Sequence, residues 1–377
     1  IERIYKLNWR QLFKLKQSEV LGVDIGSSAV KAVKMRKGSS GWEVTAAKIA
    51  EIANGSINDE SQREINIVRA IRDCIESAKI ETTLAVCSVC GPDVAVRYFR
   101  FPSLPPEELE GAVLLEAQQV CPFNVDDSAV EYQLVSAKTT EGVSGILVAA
   151  TNEVIRRKKR LVENASLQCV LMDIDGLALL NCFTECEKPQ DGQTVAILNV
   201  GSCFTNLAII GNNGLPFIRD IAYAGNDIVR QIATEGGASI EVINKILSAH
   251  GQSDFADSPD LQQQKDQLEL GITSSAAIQL LEQGLEKACG KLISEVADTL
   301  RYYIAQEKTA FIGKMFVCGG FSLVNGFVEL LNNRLPTKTV LWNPFDRIRC
   351  REKRLREYVK ENGPALAVAT GLAMRQI

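Results

Sequence analysis

The sequence predicts an α/β protein built from two similar halves, and three observations carry that expectation. An apolar run, Leu21 to Ile25, ends at a small-residue turn in LGVDIGSSAVK (21–31), and a near-copy, ILNVGSCFTN (197–206), recurs 175 residues later. In each copy the apolar run reaches a polar residue (Asp24, Asn199), then one apolar residue, then Gly-Ser (Gly26-Ser27, Gly201-Ser202). Both copies continue as meanders: Ala29 to Met35, a turn at 37–41 and Trp42 to Ile49 after the first; Phe204 to Ile210, a turn at 211–214 and Leu215 to Ile221 after the second. Matching spacing over three strands points to duplicated architecture.

Bulk properties agree. A chain of 377 residues, 46% hydrophobic and 23% charged, can form two domains with separate cores. A formal charge of −4 gives no global basic field, so nucleic acid is not an expected partner. No apolar run approaches the roughly 18 residues of a membrane span. The eleven cysteines are odd in number and scattered, which reads as reduced, buried side chains rather than a secreted disulfide framework. Cys87 and Cys90 form the single CxxC, far in sequence from the sole histidine, His250, so strand cysteines are a better reading than a zinc or redox site. A cytoplasmic location follows, and the first residues show no signal-peptide pattern.

Taken in order, residues 1–19 form a basic arm, with Arg3, Lys6, Arg10, Lys14 and Lys16 interleaved with Ile1, Ile4, Leu7, Trp9, Leu12 and Phe13. Such a segment suits an anionic membrane surface through residues 1–16, or packing on its own domain or a neighbour. Ser61 to Ala78 carries Ile65, Val68, Ile71, Ile75 and Ala78 at helical spacing, and Thr82 to Val89 reads as a strand. Val94 to Phe101 alternates as a strand. Pro105, Pro106, Glu107 and Glu108 then open a helix that runs to Val120 and stops before Pro122. Strands at Ala129 to Ser136 and Gly145 to Ala150 precede a basic helix beginning near Asn152, whose Arg156 to Arg160 run reads first as a solvated face.

Gln168 to Ile174 is a strand, Asp175 to Cys186 a helix, and 187–193, with Pro189 and Gly192, a hinge between halves. In the second half a helix begins near Ile228, another spans Ser239 to His250, and 251–264 is a polar loop. Ile272 to Ala305 is helical. Lys314 to Cys318 is a strand opening onto Gly319-Gly320-Phe321-Ser322, with a helix over Leu323 to Asn333 and a close-packed terminal helix at Pro364 to Met374.

Asp24-Ile25-Gly26-Ser27-Ser28 with Lys31, the turn from Asn199 to Thr205, and Cys318-Gly319-Gly320 leading to Gly326 resemble the two phosphate loops and the adenosine loop of actin-like ATPases. The segment FRFPSLPPEELEGAVLLEAQQVCPF (99–123) and the closing Ala369-Thr370-Gly371-Leu372-Ala373 look like the PilM branch of that fold, the actin-like, FtsA-related proteins of type IV pilus assembly. The resemblance implies an actin-like ATPase fold, with two sheet-and-helix halves around a cleft and an inserted subdomain. It divides the chain into an arm (1–19), a first actin-like subdomain 1A (20–93 and 161–190), an inserted subdomain 1C (94–160), subdomain 2A (191–235 and 311–377) and subdomain 2B (236–310).

It also implies a site for ATP and Mg²⁺: Asp24, Gly26, Ser27, Ser28 and Lys31 from the first loop, Asn199, Gly201, Ser202 and Thr205 from the second, Gly225, and Gly319, Gly320 and Phe321 from the third, with Asp24 the metal-side residue. Glycine turns aim backbone N–H groups at phosphate oxygens, and Mg²⁺ keeps most of its water. Four positions depart from the family pattern. Asn199 replaces an aspartate, Asn244 and Leu247 replace a glutamate and a lysine for ribose and adenine, and Phe321 replaces a small residue. The expectation is therefore a degenerate or weak ATP cleft without a catalytic residue. The implied partner is the cytosolic N-terminal tail of a PilN-like bitopic inner-membrane protein, held in the groove between 1A and 1C, beside other pilus platform components. An active Mg-ATP-dependent ATPase and a filament-forming relative of FtsA are the alternatives.

Overall fold

The computed structural model describes residues 19–39, 41–53, 59–139, 142–190, 193–211, 215–250, 284–307 and 311–375. The arm up to residue 18, the polar loop 251–264 and the start of the helical region after Ile272 lie outside the described residues. The chain opens with strands β1 (Leu21–Ile25), β2 (Ala29–Gly38) and β3 (Gly41–Glu51), then helix α1 (Glu60–Ser77), and strands β4 (Leu84–Val89) and β5 (Val94–Phe101). Asp59 caps α1 by accepting the Gln62 N–H at 2.9 Å, which uses one of the free donors at the helix start. Helix α2 (Pro106–Val120), strands β6 (Ser128–Thr139) and β7 (Gly142–Thr151), helix α3 (Asn152–Asn164), strand β8 (Gln168–Ile174) and helix α4 (Asp175–Glu187) complete the first half.

The second half contains β9 (Thr194–Val200), β10 (Thr205–Ile210), β11 (Pro216–Ile221), α5 (Gly225–Gly236), α6 (Ile240–His250) and α7 (Gly290–Gln306). Strand β12 (Ile312–Cys318), α8 (Phe327–Arg334), β13 (Lys338–Leu341), α9 (Lys353–Asn362) and α10 (Ala367–Ala373) follow.

The duplication is explicit in the sheets. One has the order β3-β2-β1-β4-β8 and the other β11-β10-β9-β12-β13. In both, the first strand of the meander pairs antiparallel with the second and parallel with the strand that returns after the helices. A separate antiparallel sheet, β5-β7-β6, lies where the insertion was expected, and α2 covers one of its faces with Leu109, Val113 and Ala117 packed around Phe99 and Leu147.

Two features of the second half differ from the sequence reading. The expected helix at 323–333 begins at Phe327, because Gly326 adopts φ 78° and a short 3-10 turn occupies Gly320–Leu323. Strand β13 and helix α9 had no periodic signal of their own, since β13 is four residues long and α9 is largely charged.

A shared core joins the halves. Val86, Ile174, Leu179 and Phe183 pack with Val195, Ile197, Ala208, Cys318 and Trp342 in one cluster. The terminal helix α10, expected with the second half, packs on α4 and on β1, β2 and β4. A Cβ at Gly22 would overlap the Ala369 carbonyl oxygen, and one at Gly371 that of Ala178. Small residues are required there because the backbones touch.

Candidate functional site

The two repeated turns have the same hydrogen bonding. Gly26 N donates to Ala29 O and Gly201 N to Phe204 O, both at 3.1 Å, so each strand ends in the same tight loop. The loops face each other, with Ser28 Oγ and Ser202 Oγ 2.5 Å apart. Each is braced from its own half: Arg63 of α1 donates to Ser27 O at 3.0 Å, and Asn226 N at the head of α5 donates to Ser202 O at 2.8 Å. The third loop joins the second. Gly319, at φ 92°, lies so close to Val200 that a Cβ would overlap its carbonyl, while a Cβ at Gly320 would meet nothing within 4 Å.

Asp24 and Lys31 are register partners across β1 and β2, and Lys31 Nζ lies 3.0 Å from Asp24 Oδ2. The equivalent register pair in the second sheet is Asn199 with Asn206, where Asn199 Nδ2 donates to Asn206 Oδ1 at 2.7 Å. The repeat thus replaces an ion pair by a neutral amide pair. Asn199 Oδ1 accepts from the Cys318 thiol at 3.9 Å, and Asn206 Nδ2 donates to Asp220 Oδ1 at 2.7 Å. Asp220 Oδ2 accepts the Gly91 N–H from the other half at 2.6 Å. Burial raises the Asp220 carboxyl above its ordinary value, against the Gly91 and Asn206 hydrogen bonds.

Other expected residues divide. Thr205 is buried and donates to Tyr223 O at 2.8 Å, so its hydroxyl serves the fold. Phe321 belongs to the core of the second half, edge-on to Phe327 with ring centroids 5.0 Å apart and against Gly225, where a Cβ would come within 2.8 Å of its ring. Leu247 packs in that same core, and Asn244 is exposed on α6.

Three side chains that sequence reading passed over also reach this centre. Lys158 of α3 donates to Ile25 O at 2.5 Å, one residue before the first loop, although the basic run that contains it reads as a solvated face. Its neighbours Arg157 and Arg160 instead pair with Glu60 and Glu64 of α1. Asp175 is buried at the first position of α4, at the carboxyl end of β8, and its carboxyl is pushed up to about 6 by burial and then by the charge of Asp24. Ser88, on the neighbouring strand, is buried; its hydroxyl acts on the Asp175 carboxyl, but its Oγ has no partner at normal hydrogen-bond distance among the described residues. Asp175 could have been found as a polar residue directly after a buried parallel strand, where α/β sheets place ligands.

The side-chain donors fit phosphate: the Ser27, Ser28 and Ser202 hydroxyls and the Lys31 ammonium, with an open approach at Gly320, while the Gly26 and Gly201 N–H groups close their own turns. It fits a metal less well, since Asp24 is already paired with Lys31 and no group of three metal-ligating side chains occurs among the described residues. Mg²⁺ would be held mainly through its own water.

Residues 22–252 and 274–377 match the family described as "Type IV pilus assembly protein PilM". A structure described as a PilM-PilN type IV pilus biogenesis complex has a TM-score of 0.76 at 20% identity, covering 95% of this chain and 98% of that one. The ethanolamine utilization protein EutJ from Carboxydothermus hydrogenoformans has a TM-score of 0.50 at 13% identity, covering 96% of this chain and 90% of its own. A nucleotide-free diol dehydratase-reactivating factor has a TM-score of 0.50 at 12% identity, covering 94% and 98% respectively. The architecture is the actin-like ATPase fold. With the family match running over most of its length, the chain belongs to the PilM family of type IV pilus assembly proteins.

Proposed function

We propose that this protein is a pilus-assembly scaffold that holds the cytosolic tail of a PilN-like membrane protein between its first half and the inserted sheet. The observation that carries this reading is the outer part of the sheet face that α2 does not cover. One face packs under α2. On the other, Val96, Ile146 and Ala150 enter the shared core, and the same face continues outward through Tyr98 to Val135, which are 48% and 44% exposed. Tyr98, Ile146 and Gln133 stand in one row across the three strands. Strand β6 is also a sheet edge, able to offer backbone groups to an extended peptide. The relative solved as a PilM-PilN complex supports the partner class.

The division into 1A, 1C, 2A and 2B at the boundaries given above is part of this proposal, as is a peripheral place at the inner membrane beside other platform components. The test is calorimetric titration of the full chain with a synthetic PilN-type tail peptide, repeated with Tyr98→Glu. Tyr98→Glu should weaken binding at least tenfold, and unchanged affinity would move the groove elsewhere.

The loops support a secondary role as a weak ATP site. Lys31 and the serines hold phosphate, but the second carboxylate is replaced by Asn199, whose two polar atoms are committed to Asn206 and Cys318. Phosphoryl transfer rests on positioning and charge stabilisation, so turnover should be slow. Titration with Mg-ATP checks this: binding weaker than about 10 μM, further reduced by Lys31→Ala, is expected, whereas tight binding with fast turnover would establish the ATPase alternative.

A further inference from the structure

The C-terminal region contains a strongly basic surface that neither the loops nor the inserted sheet uses. Between residues 346 and 360 there are seven cationic side chains, Arg347, Arg349, Arg351, Lys353, Arg354, Arg356 and Lys360, against three acids, Asp346, Glu352 and Glu357, in a chain whose formal charge is −4. All seven residues are exposed. Arg351 is anchored 2.8 Å from Glu43, Arg347 lies 3.7 Å from Glu187, and Lys353 lies 3.9 Å from Glu357. Arg356 donates twice to Cys350 O, at 3.1 and 2.7 Å, which fixes its guanidinium at the rim of a surface hollow of about 190 Å³. The hollow has an apolar floor of Phe345, Ile348 and Val359, with Lys360 also on its rim and Asp346 as its one acidic lining residue.

This surface adjoins the place where the basic arm leaves the fold. Glu19, the first described residue, lies 2.5 Å from Arg36, whose register partner Glu43 holds Arg351 through its carboxylate and pairs with Arg349 through the backbone. Glu19 thus stands at the start of the central strand β1, and the basic segment adjoins the edge strand β3 two strands away. The arm's Trp9, Leu12 and Phe13 interleaved with Arg10, Lys14 and Lys16 are the composition of an interfacial anchor, which a nucleic-acid-binding arm would not need.

We infer that residues 347–360 form a docking surface for anionic phospholipid headgroups, with the hollow between Arg356 and Lys360 receiving a headgroup phosphate over its apolar floor. One weak membrane signal gives reversible binding, and a polybasic patch beside it supplies the second. A guanidinium held in place by two hydrogen bonds is prepared for phosphate in a way that a freely rotating lysine is not.

The experiment is co-sedimentation of the full chain with vesicles of phosphatidylcholine alone or with 30% phosphatidylglycerol, at several salt concentrations. The double variant Arg354→Gln, Lys360→Gln should bind the anionic vesicles about 25-fold more weakly, at about fivefold for each basic residue near the surface. The control Lys287→Gln, Arg301→Gln removes the same charge from the second half and should leave binding within twofold. Thermal melting of each variant establishes that it is folded. Equal loss in both variants, no loss in the first, binding to phosphatidylcholine alone, or preferential loss of binding to an RNA oligonucleotide would each overturn the inference.

Discussion

At position 175 a carboxyl group sits inside the protein, at the head of α4 and within the field of Asp24. Burial first, and that charge second, raise it from the ordinary 3.8 to about 6. Between those values the native protein holds a proton that the unfolded chain has released. Stability from this group is therefore full below about pH 4, falls as pH rises toward 6, and is level above, a loss on the order of 3 kcal/mol. Asp175→Asn cannot ionise. Denaturant titrations from pH 4 to 7 should show the stability of the variant relative to the parent rising across that window, and a constant difference would contradict the assignment. The same neighbourhood shows what the residues announce and what they hide. Asp24 with Lys31 is legible, because adjacent antiparallel strands joined by a tight turn bring the two into register. Asn199 opposite Asn206 follows from the same register, but the commitment of its carbonyl oxygen was not legible, because Cys318 reaches it from β12, 119 residues further along the chain, and a side-chain amide carries no periodic signal. Phe321 looked like a change in a nucleotide loop, but it packs as a core residue.

Elements were easiest to read where periodicity was strong. The two meanders, α1 and the strand-helix pair β8 and α4 follow from alternation and from helical spacing, and the structure has them within a few residues of the expected limits. The terminal helix was legible as close-packed from its Ala and Gly content, but not where it packs. That depends on a contact between parts of the chain more than 190 residues apart, with Gly371 against Ala178 of α4 and Ala369 against Gly22 of β1. Adding a methyl at either glycine forces backbone apart, and overpacking of this kind costs about 1–3 kcal/mol or more. Gly371→Ala and Gly22→Ala should each lower the unfolding free energy obtained from urea titration by that amount. Gly111→Ala, on α2 with open space around it, should leave stability equal or slightly higher, since Ala favours helix. A neutral Gly371→Ala would mean that α10 does not hold this position.

On the scale of the molecule, the halves are joined by apolar packing and by polar contacts, among them the Arg375–Asp173 pair and a largely buried chain of hydrogen bonds. It runs from Gly91 N–H to Asp220, then through Asn206 and Asn199 to Cys318, and so connects the entry to the inserted sheet with the strand that carries the third loop. Phe204 of the second loop also covers Gly91, so apolar and polar contacts coincide at one point between halves. In a low-dielectric setting each donor in such a chain is costly to leave unpaired. Asp220→Ala would strip two, the Gly91 amide and the Asn206 side chain, at about 1–3 kcal/mol each. Asp220→Asn would keep one acceptor and place its own N–H₂ toward the other donor, so its cost should fall between alanine and the parent. By contrast, Ser28→Ala and Ser202→Ala remove an exposed hydroxyl contact that water can replace and should change stability by less than about 0.5 kcal/mol. Hydrogen exchange separates a local from a general effect. In Asp220→Ala the Gly91 amide should exchange at least tenfold faster than the amides of β1, which keep their partners, whereas uniform acceleration across both sheets would mean that the chain stabilises the fold without specifically joining the halves.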